Sequence, residues 1–145
     1  MMDRFKFRAF SKGTMCDPFD FESLYHAAFA GVIPALPFDE YIIMQCTGLK
    51  DKYGKLIYEG DIVKMNAHIS RYHDEYGQGT EIDMDFIGPV VVLPSKGACI
   101  KKPRWIDNME DNKRGQNDGY KPISAYRTEI IGNIYEHPEL LGKQK

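Results

Sequence analysis

The stretch Thr47–Met65, TGLKDKYGKLIYEGDIVKM, decides the predicted fold because it combines closely spaced glycines with two short apolar segments. Asp51 and Gly54 occupy the first and last positions of a four-residue turn, as is typical of a type I β-turn. Aspartate accepts hydrogen bonds from nearby backbone amides, and glycine tolerates the positive φ that often follows such a turn. Gly60 and Asp61 predict a second turn that leads into the strand IVKMNAHI. Two such turns in succession favour a small, sharply curved β-barrel.

The glycines of this region are therefore predicted to serve backbone geometry rather than chemistry. The same interpretation extends to one glycine in the closing segment YRTEIIGNIYEHPELL. The predicted structural turn residues are Gly48, Asp51, Gly54, Gly60, Asp61 and Gly132.

Strands on both sides are predicted from alternation and from β-branched or aromatic content. In DRFKFRAF, Phe7 and Ala9 share one face, which leaves Lys6 and Arg8 on the opposite, solvent-facing side. EYIIMQCTG is predicted to be a buried strand and MDFIGPVVVL a further strand of the sheet. The polar segment SRYHDEYGQGTEID, which precedes MDFIGPVVVL, is predicted to form the tip of a long hairpin.

A short helix is predicted between the first strand and the barrel. Asp20 is a candidate cap for its start, and Gly31 is a candidate end in the left-handed conformation. We expect residues 1–40 to pack as a strand and helix against a barrel formed by residues 41–145. The apolar stripe of the helix, at the i, i+3, i+4 spacing, consists of Phe21, Leu24, Tyr25, Ala28 and Phe29.

Length and composition predict one soluble, globular domain of 145 residues. No apolar run approaches the roughly 18 residues of a membrane span, and the charged start MMDRFKFRAF is unlike a signal peptide. Cys16, Cys46 and Cys99 are widely separated and odd in number, which favours reduced thiols, with Cys46 and Cys99 as small core residues. The formal charge of -2 argues mildly against a dedicated duplex-DNA binder.

Three segments carry a family resemblance: FKFRAFSKGTM, MQCTGLKDKYGKLIYEGDIV and IIGNIYEHPELL. In content and order they resemble the YopX protein family, which is found chiefly in bacteriophages and prophages. Tyr53 departs from the family pattern, in which Asn precedes Gly54. The resemblance implies a mainly β fold built on an SH3-like barrel, a phage or mobile-element origin and a cytoplasmic setting. It implies no particular activity, so no catalytic residue follows from it.

Metal-dependent or nucleophilic catalysis finds little support in the sequence. His68 and His73 stand near several carboxylates, but their spacing is not that of two ligands on one helix, and a zinc site needs fixed tetrahedral geometry. A solvated polar loop is the preferred interpretation. We predict no catalytic residue, no metal and no cofactor, and a metal-dependent enzyme is the least favoured class.

The segment KKPRWIDNMEDNKRGQNDGYKPIS, residues 101–124, is mostly polar and aperiodic, which predicts a long loop. Trp105, Ile106 and Met109 are its candidate partner-binding residues, because aromatic and Met side chains are enriched in interface cores. A basic group could instead contact phosphates while Trp105 stacks a base. That group consists of Lys96, Lys101, Lys102, Arg104, Lys113 and Arg114. The plain alternative is a mixed-charge loop in which Trp105 covers the open end of the barrel.

The sequence therefore favours a non-enzymatic phage accessory protein that binds a host or phage protein. Self-association into a homo-oligomer is a further expectation, and no membrane partner is expected. A nucleic-acid-binding small barrel is the alternative.

Overall fold

In the computed structural model the described residues are 6–11, 13–15, 18–20, 42–72, 79–109 and 113–142, and they form two β-sheets. The first sheet holds β1 Lys6–Ser11, β2 Thr14–Met15, β3 Phe19–Asp20, β4 Ile42–Lys50 and β5 Leu56–Tyr58. The second holds β6 Asp61–Tyr72, β7 Gly79–Leu93, β8 Gly97–Lys101, β9 Arg104–Asp107, β10 Arg114–Gln116, β11 Tyr120–Pro122 and β12 Thr128–Asn133. Short 3₁₀ turns follow at Ala125–Arg127 and Pro138–Leu141. The prediction of a mainly β fold is confirmed.

The strand pairs of both sheets are antiparallel. The first sheet has the order β2-β1-β4-β5, with β3 also on β1, and the second has the order β10-β9-β7-β6-β12. The far end of β7 pairs with β8, which in turn pairs with β11. Ile57 of the first sheet packs in one core with residues of the second sheet, so the two sheets share an interior. That core is Ile57, Val63, Met65, Phe86, Val90 and Ile100.

The predicted turn at Asp51 and Gly54 is confirmed. The Gly54 N–H donates to the Asp51 carbonyl oxygen at 2.9 Å, and Gly54 has a φ of 82°. The Asp51 carboxylate accepts from the N–H groups of Tyr53 and Lys55, each at 2.9 Å. Its second oxygen accepts from the Ile130 N–H at 3.2 Å. Asp51 therefore shapes its own turn and also ties that turn to β12 of the other sheet.

The turn at Gly60 and Asp61 is also present, whereas Gly48 and Gly132 lie inside strands and their prediction as turns is wrong. Gly48 sits in β4 with a φ of 82°, where the register with β5 is irregular. Gly132 sits in β12, where a Cβ would lie 2.8 Å from the Leu140 side chain. One glycine permits a bulge, and the other permits close packing of the C-terminal turn.

The long loop predicted at about 101–124 is wrong, because β9, β10 and β11 lie within that segment. β9 pairs with β7, β10 with β9, and β11 with β8. These strands hold three or four residues each, which is too short for alternation to appear in the sequence. Pairing with longer neighbours stabilises them, and this kind of tertiary context outweighs local propensity.

Two further strand predictions are confirmed with changes. β4 forms as expected, but Ile42 and Ile43 are exposed while Met44 and Cys46 are buried, so it is half-buried. The long hairpin is present, since β6 and β7 pair as far as residues 72 and 79.

The prediction that Cys46 and Cys99 are core residues is confirmed, since both are buried. The predicted helix after Asp20, Cys16 and residues 73–78 of the predicted hairpin tip, with His73, lie outside the described residues, whereas Asp20 itself ends β3. Within the described part of the chain, no helix has the length and apolar character needed to cross a bilayer.

Candidate functional site

A cleft of about 780 Å³, hereafter the first cleft, opens between β1 of the first sheet and β12 of the second. Its cationic lining residues are Lys6, Arg8, Lys50 and Lys55, and its carboxylates are Asp61 and Glu136. Apolar wall is supplied by Met15, Pro18, Leu56, Ile130 and Ile131. Among the described lining residues, cations therefore outnumber carboxylates, although the whole chain has a formal charge of -2.

The floor of the first cleft is an ion pair between the two sheets. Arg8 Nη2 of β1 lies 2.5 Å from Asp61 Oδ1 of β6, and the two side chains are 13% and 1% exposed. The other Asp61 oxygen accepts from the Tyr58 N–H at 2.8 Å, and the Arg8 guanidinium lies 4.8 Å from the Tyr58 ring centroid. The prediction that Arg8 faces solvent is therefore wrong, because a carboxylate from the other sheet compensates its charge.

Burial controls the electrostatics of this pair. Loss of solvation raises the pKa of Asp61 above its ordinary value, while Arg8 and the Tyr58 N–H act in the opposite direction. Arg8 Nε is buried and has no hydrogen-bond partner among the residues that the structure describes. Since guanidinium presents a fork of donors suited to carboxylate or phosphate, Asp61 uses only part of the hydrogen-bonding capacity of Arg8.

A second contact between the sheets fixes the walls of the first cleft. The rings of Phe10 in β1 and Tyr135 after β12 stack with centroids 5.1 Å apart and an interplanar angle of 21°. Burial raises the pKa of Tyr135, and the nearby Glu59 carboxylate adds to the effect. The phenol therefore stays neutral over the physiological range, and the stack is not disturbed by its ionisation.

A smaller cleft of about 600 Å³, hereafter the second cleft, has the β7 residues Ile87, Gly88 and Pro89 as its floor. Its polar rim is Lys101, Lys102, Arg104, Gln116 and Asp118. The structure thus brings together Lys101, Lys102 and Arg104 from the predicted basic group. Lys96 lies at the opposite end of β8, in the turn before Gly97, and Lys113 and Arg114 lie at the start of β10.

The three predicted partner-binding residues occupy different environments. Trp105 and Ile106 are half-buried in β9, whereas Met109 is 52% exposed. Trp105 packs against the core, and its indole lies so close to Gly115 of β10 that a Cβ there would be 2.3 Å from the ring. The indole therefore supports the second sheet, whether or not it also contacts a partner.

The Arg8–Asp61 pair is the part of the site that sequence reasoning missed. The two residues are 53 positions apart, and each had a complete local explanation, Arg8 in an alternating strand and Asp61 in a turn. No local pattern in the sequence reports that these two elements meet.

The predicted polar cluster of the hairpin is only partly described. His68 Nε2 lies 3.4 Å from Glu81 Oε1, and His68 Nδ1 lies 3.6 Å from Asp83 Oδ2. In the described portion of the chain, no group of three or more His, Cys, Asp or Glu side chains is arranged to hold a metal ion. Hydrogen bonds from Asn108 and Asn66 lower the pKa of Asp83, and His68 adds to the effect.

Asn108→Ala is expected to raise the pKa of Asp83 towards the ordinary aspartate value of 3.8, because Asn108 Nδ2 donates to Asp83 Oδ1 at 3.0 Å. NMR titration of the side-chain carboxyl carbons measures this directly. A lowered pKa contributes stability that is present above the unfolded pKa and is lost as the pH falls through the folded pKa. The variant should therefore also lose less stability between neutral and acidic pH. An unchanged Asp83 pKa in the variant would contradict the assigned cause, and Asn117→Ala, which changes an exposed Asn with no such contact, is the control.

Comparison with known proteins adds one positive finding. The family model described as YopX protein matches residues 6–142, nearly the whole chain. The matched region contains both clefts and every described residue. No curated protein matches the sequence.

Proposed function

The chain belongs to the YopX protein family, and from that premise we propose that it is a phage or prophage accessory protein that acts by binding another protein in its first cleft. The binding is non-catalytic and takes place in the cytoplasm of the bacterial host, with a host or phage protein as the partner. The second sheet, curved around the shared core, serves as an SH3-like scaffold for this cleft.

One observation carries the proposal: the first cleft combines cations with apolar wall in an otherwise slightly acidic protein. Lys50 and Lys55 are exposed at its edge, while Leu56 and Ile130 are half-buried within it. An acidic segment of a partner that also carries apolar side chains matches both features. Apolar contacts would supply burial, and the lysines would steer and orient the segment.

The character of the first cleft favours protein over nucleic acid as its ligand. Single-stranded nucleic acid is bound by a track of cations together with exposed aromatic faces. Among the described residues that line this cleft, the Phe, Tyr or Trp side chain is Tyr58, which is only 4% exposed and already lies beneath Arg8. Glu136 would also oppose a continuous phosphate chain, whereas a peptide with spaced acidic side chains can place backbone N–H donors beside this carboxylate.

The double variant Lys50→Glu/Lys55→Glu is expected to weaken partner binding by about tenfold or more, because like charges would face an acidic segment. The measurement is copurification from a nuclease-treated bacterial lysate, followed by titration of the identified protein. Lys96→Glu/Lys113→Glu makes the same change in net charge at exposed positions that do not line the cleft.

Equal loss of binding in both double variants would show a general effect of charge and contradict the assignment to the first cleft. If only the control variant Lys96→Glu/Lys113→Glu lost the partner, the binding site would lie outside the first cleft. If the bound protein is a second copy of the chain, light scattering of the purified protein reports an oligomer that the cleft variant loses.

A further inference from the structure

We propose that the second cleft binds the phosphodiester backbone of single-stranded nucleic acid, with Tyr120 stacking a base beside it. This site is separate from the one used in the proposed function, since the two clefts share no lining residue.

The first support is charge. Lys101 and Lys102 are exposed and consecutive at the end of β8, and Arg104 follows at the start of β9. Arg104 Nη2 donates to the Leu140 carbonyl oxygen, and the Arg104 side chain lines the cleft. Among the described residues of this rim, Asp118 is the carboxylate. Cations therefore predominate, as a phosphate site requires.

The second support is the backbone at Lys102. Among the described residues it is the non-glycine residue with a positive φ, at 45°. The Lys102 N–H donates to the Gly119 carbonyl oxygen at 2.8 Å, and Gln116 Nε2 donates to the Lys102 carbonyl oxygen at 3.3 Å. Unfavourable backbone angles that neighbouring groups hold in place are characteristic of binding sites. The fold thus holds an exposed lysine at this corner in a backbone conformation that non-glycine residues rarely adopt.

The corner itself is seated firmly on β7. A Cβ at Gly88 would lie 2.7 Å from the Ile100 side chain and 3.1 Å from the Lys101 carbonyl oxygen. The absence of a side chain at Gly88 lets the Lys101–Lys102 backbone approach the floor of the cleft. The two ammonium groups therefore extend from a supported backbone.

The third support is an exposed ring next to the cations. Tyr120 is 43% exposed and pairs directly with Lys101 across the antiparallel β8–β11 ladder. Side chains directly opposite in such a ladder lie on the same face of the sheet. Tyr120 is therefore better placed to stack a base than Trp105, which is half-buried and packed against Gly115.

Fluorescence anisotropy with a labelled thymidine oligonucleotide tests the site. Lys101→Glu/Lys102→Glu is expected to lower the affinity by at least tenfold at low salt. It should also reduce the slope of log K against log salt by about 1.4, since each phosphate contact on a single strand contributes about 0.7. Tyr120→Ala is expected to lower the affinity by about tenfold while leaving the salt slope unchanged, because stacking is not electrostatic.

Lys96→Glu/Lys113→Glu is the matched control, with the same charge change at exposed positions that line neither cleft, and should bind the oligonucleotide within about threefold of the unchanged protein. Circular dichroism confirms that each variant is folded. The proposal is overturned if the unchanged protein fails to bind the oligonucleotide at low salt, or if both double variants lose affinity equally. The proposal would also be overturned if inorganic phosphate displaced the oligonucleotide and Tyr120→Ala left its affinity unchanged, since that result indicates a small-anion site. Because the two clefts share no lining residue, failure here leaves the proposed protein partner untouched.

Discussion

Asp61→Ala is expected to lower the free energy of unfolding by about 3–5 kcal/mol, the range found when one partner of a buried ion pair is removed. The Asp61 side chain is 1% exposed and accepts from both Arg8 Nη2 and the Tyr58 N–H. Alanine would leave a buried guanidinium and a buried amide without their acceptor. It would also remove the ion pair that joins β1 to the second sheet, so the first cleft would lose its floor. Equilibrium denaturation in urea measures the change.

Asp61→Asn separates the hydrogen bonds from the charge. The Asn side chain keeps an acceptor oxygen, and burial already raises the pKa of Asp61 against the effect of Arg8. Loss of the negative charge should therefore cost far less than loss of the acceptors, about 1–2 kcal/mol. Lys64→Ala, which removes a 45% exposed side chain paired with Asp85 at 3.7 Å on the same sheet, should change stability by less than about 1 kcal/mol. Equal costs for Asp61→Asn and Asp61→Ala would contradict this account and assign the effect to charge.

The pH dependence of Asp61 has a definite sign. The pKa of Asp61 is raised in the folded state. There is therefore a range of pH in which the Asp61 carboxyl is protonated in the folded protein but ionised in the unfolded chain. The stability that Asp61 contributes is fully present below its ordinary pKa of 3.8, and it declines as the pH rises through the folded pKa. The stability difference between the unchanged protein and Asp61→Asn should therefore shrink with rising pH. A difference that grows with pH would mean that Arg8 outweighs burial.

The parts of the fold that sequence predicted are those with local signals. Gly54 and Asp51 define their turn through contacts within a few residues. The long strands of the β6–β7 hairpin are indicated by their apolar content. β10 and β11 have no such signal, since each holds three residues and is stabilised by a neighbour strand. Gly132 illustrates the same limit: the Leu140 side chain that requires it approaches from a later turn.

The candidate sites were less predictable than the fold for a related reason. Lys101, Lys102 and Arg104 are close in sequence, so the basic group containing them was visible, but the corner that orients them depends on Gly88 and Gln116. The first cleft arises only where β1 meets β12, and its Arg8–Asp61 floor joins distant elements. Sequence patterns thus identified which residues have suitable chemistry, whereas assembly decided which of them act together.

Trp105→Ala is expected to lower the free energy of unfolding by about 2–3 kcal/mol, below the roughly 3–5 kcal/mol of a fully buried aromatic because this residue is half-buried. The indole packs on the core and supports Gly115 of the edge strand β10. Met109→Ala is the matched control from the same predicted partner-binding set. Its side chain is 52% exposed, so its stability should stay within about 0.5 kcal/mol of the unchanged protein.

Gly115→Ala tests the same contact from the other strand and separates support from partner binding. The added Cβ would lie 2.3 Å from the Trp105 ring, so β10 must shift, at a cost of about 1–3 kcal/mol. In the double variant with Trp105→Ala the new methyl group enters vacated space, and the combined loss should fall below the sum of the two single losses. Additive losses would show that the ring and Gly115 do not restrain each other.

If instead Trp105→Ala kept full stability and lost only its partner, the indole would be an interface anchor. Since the core contact makes loss of stability the expected result, Met109→Ala is the cleaner variant for testing a partner on this face.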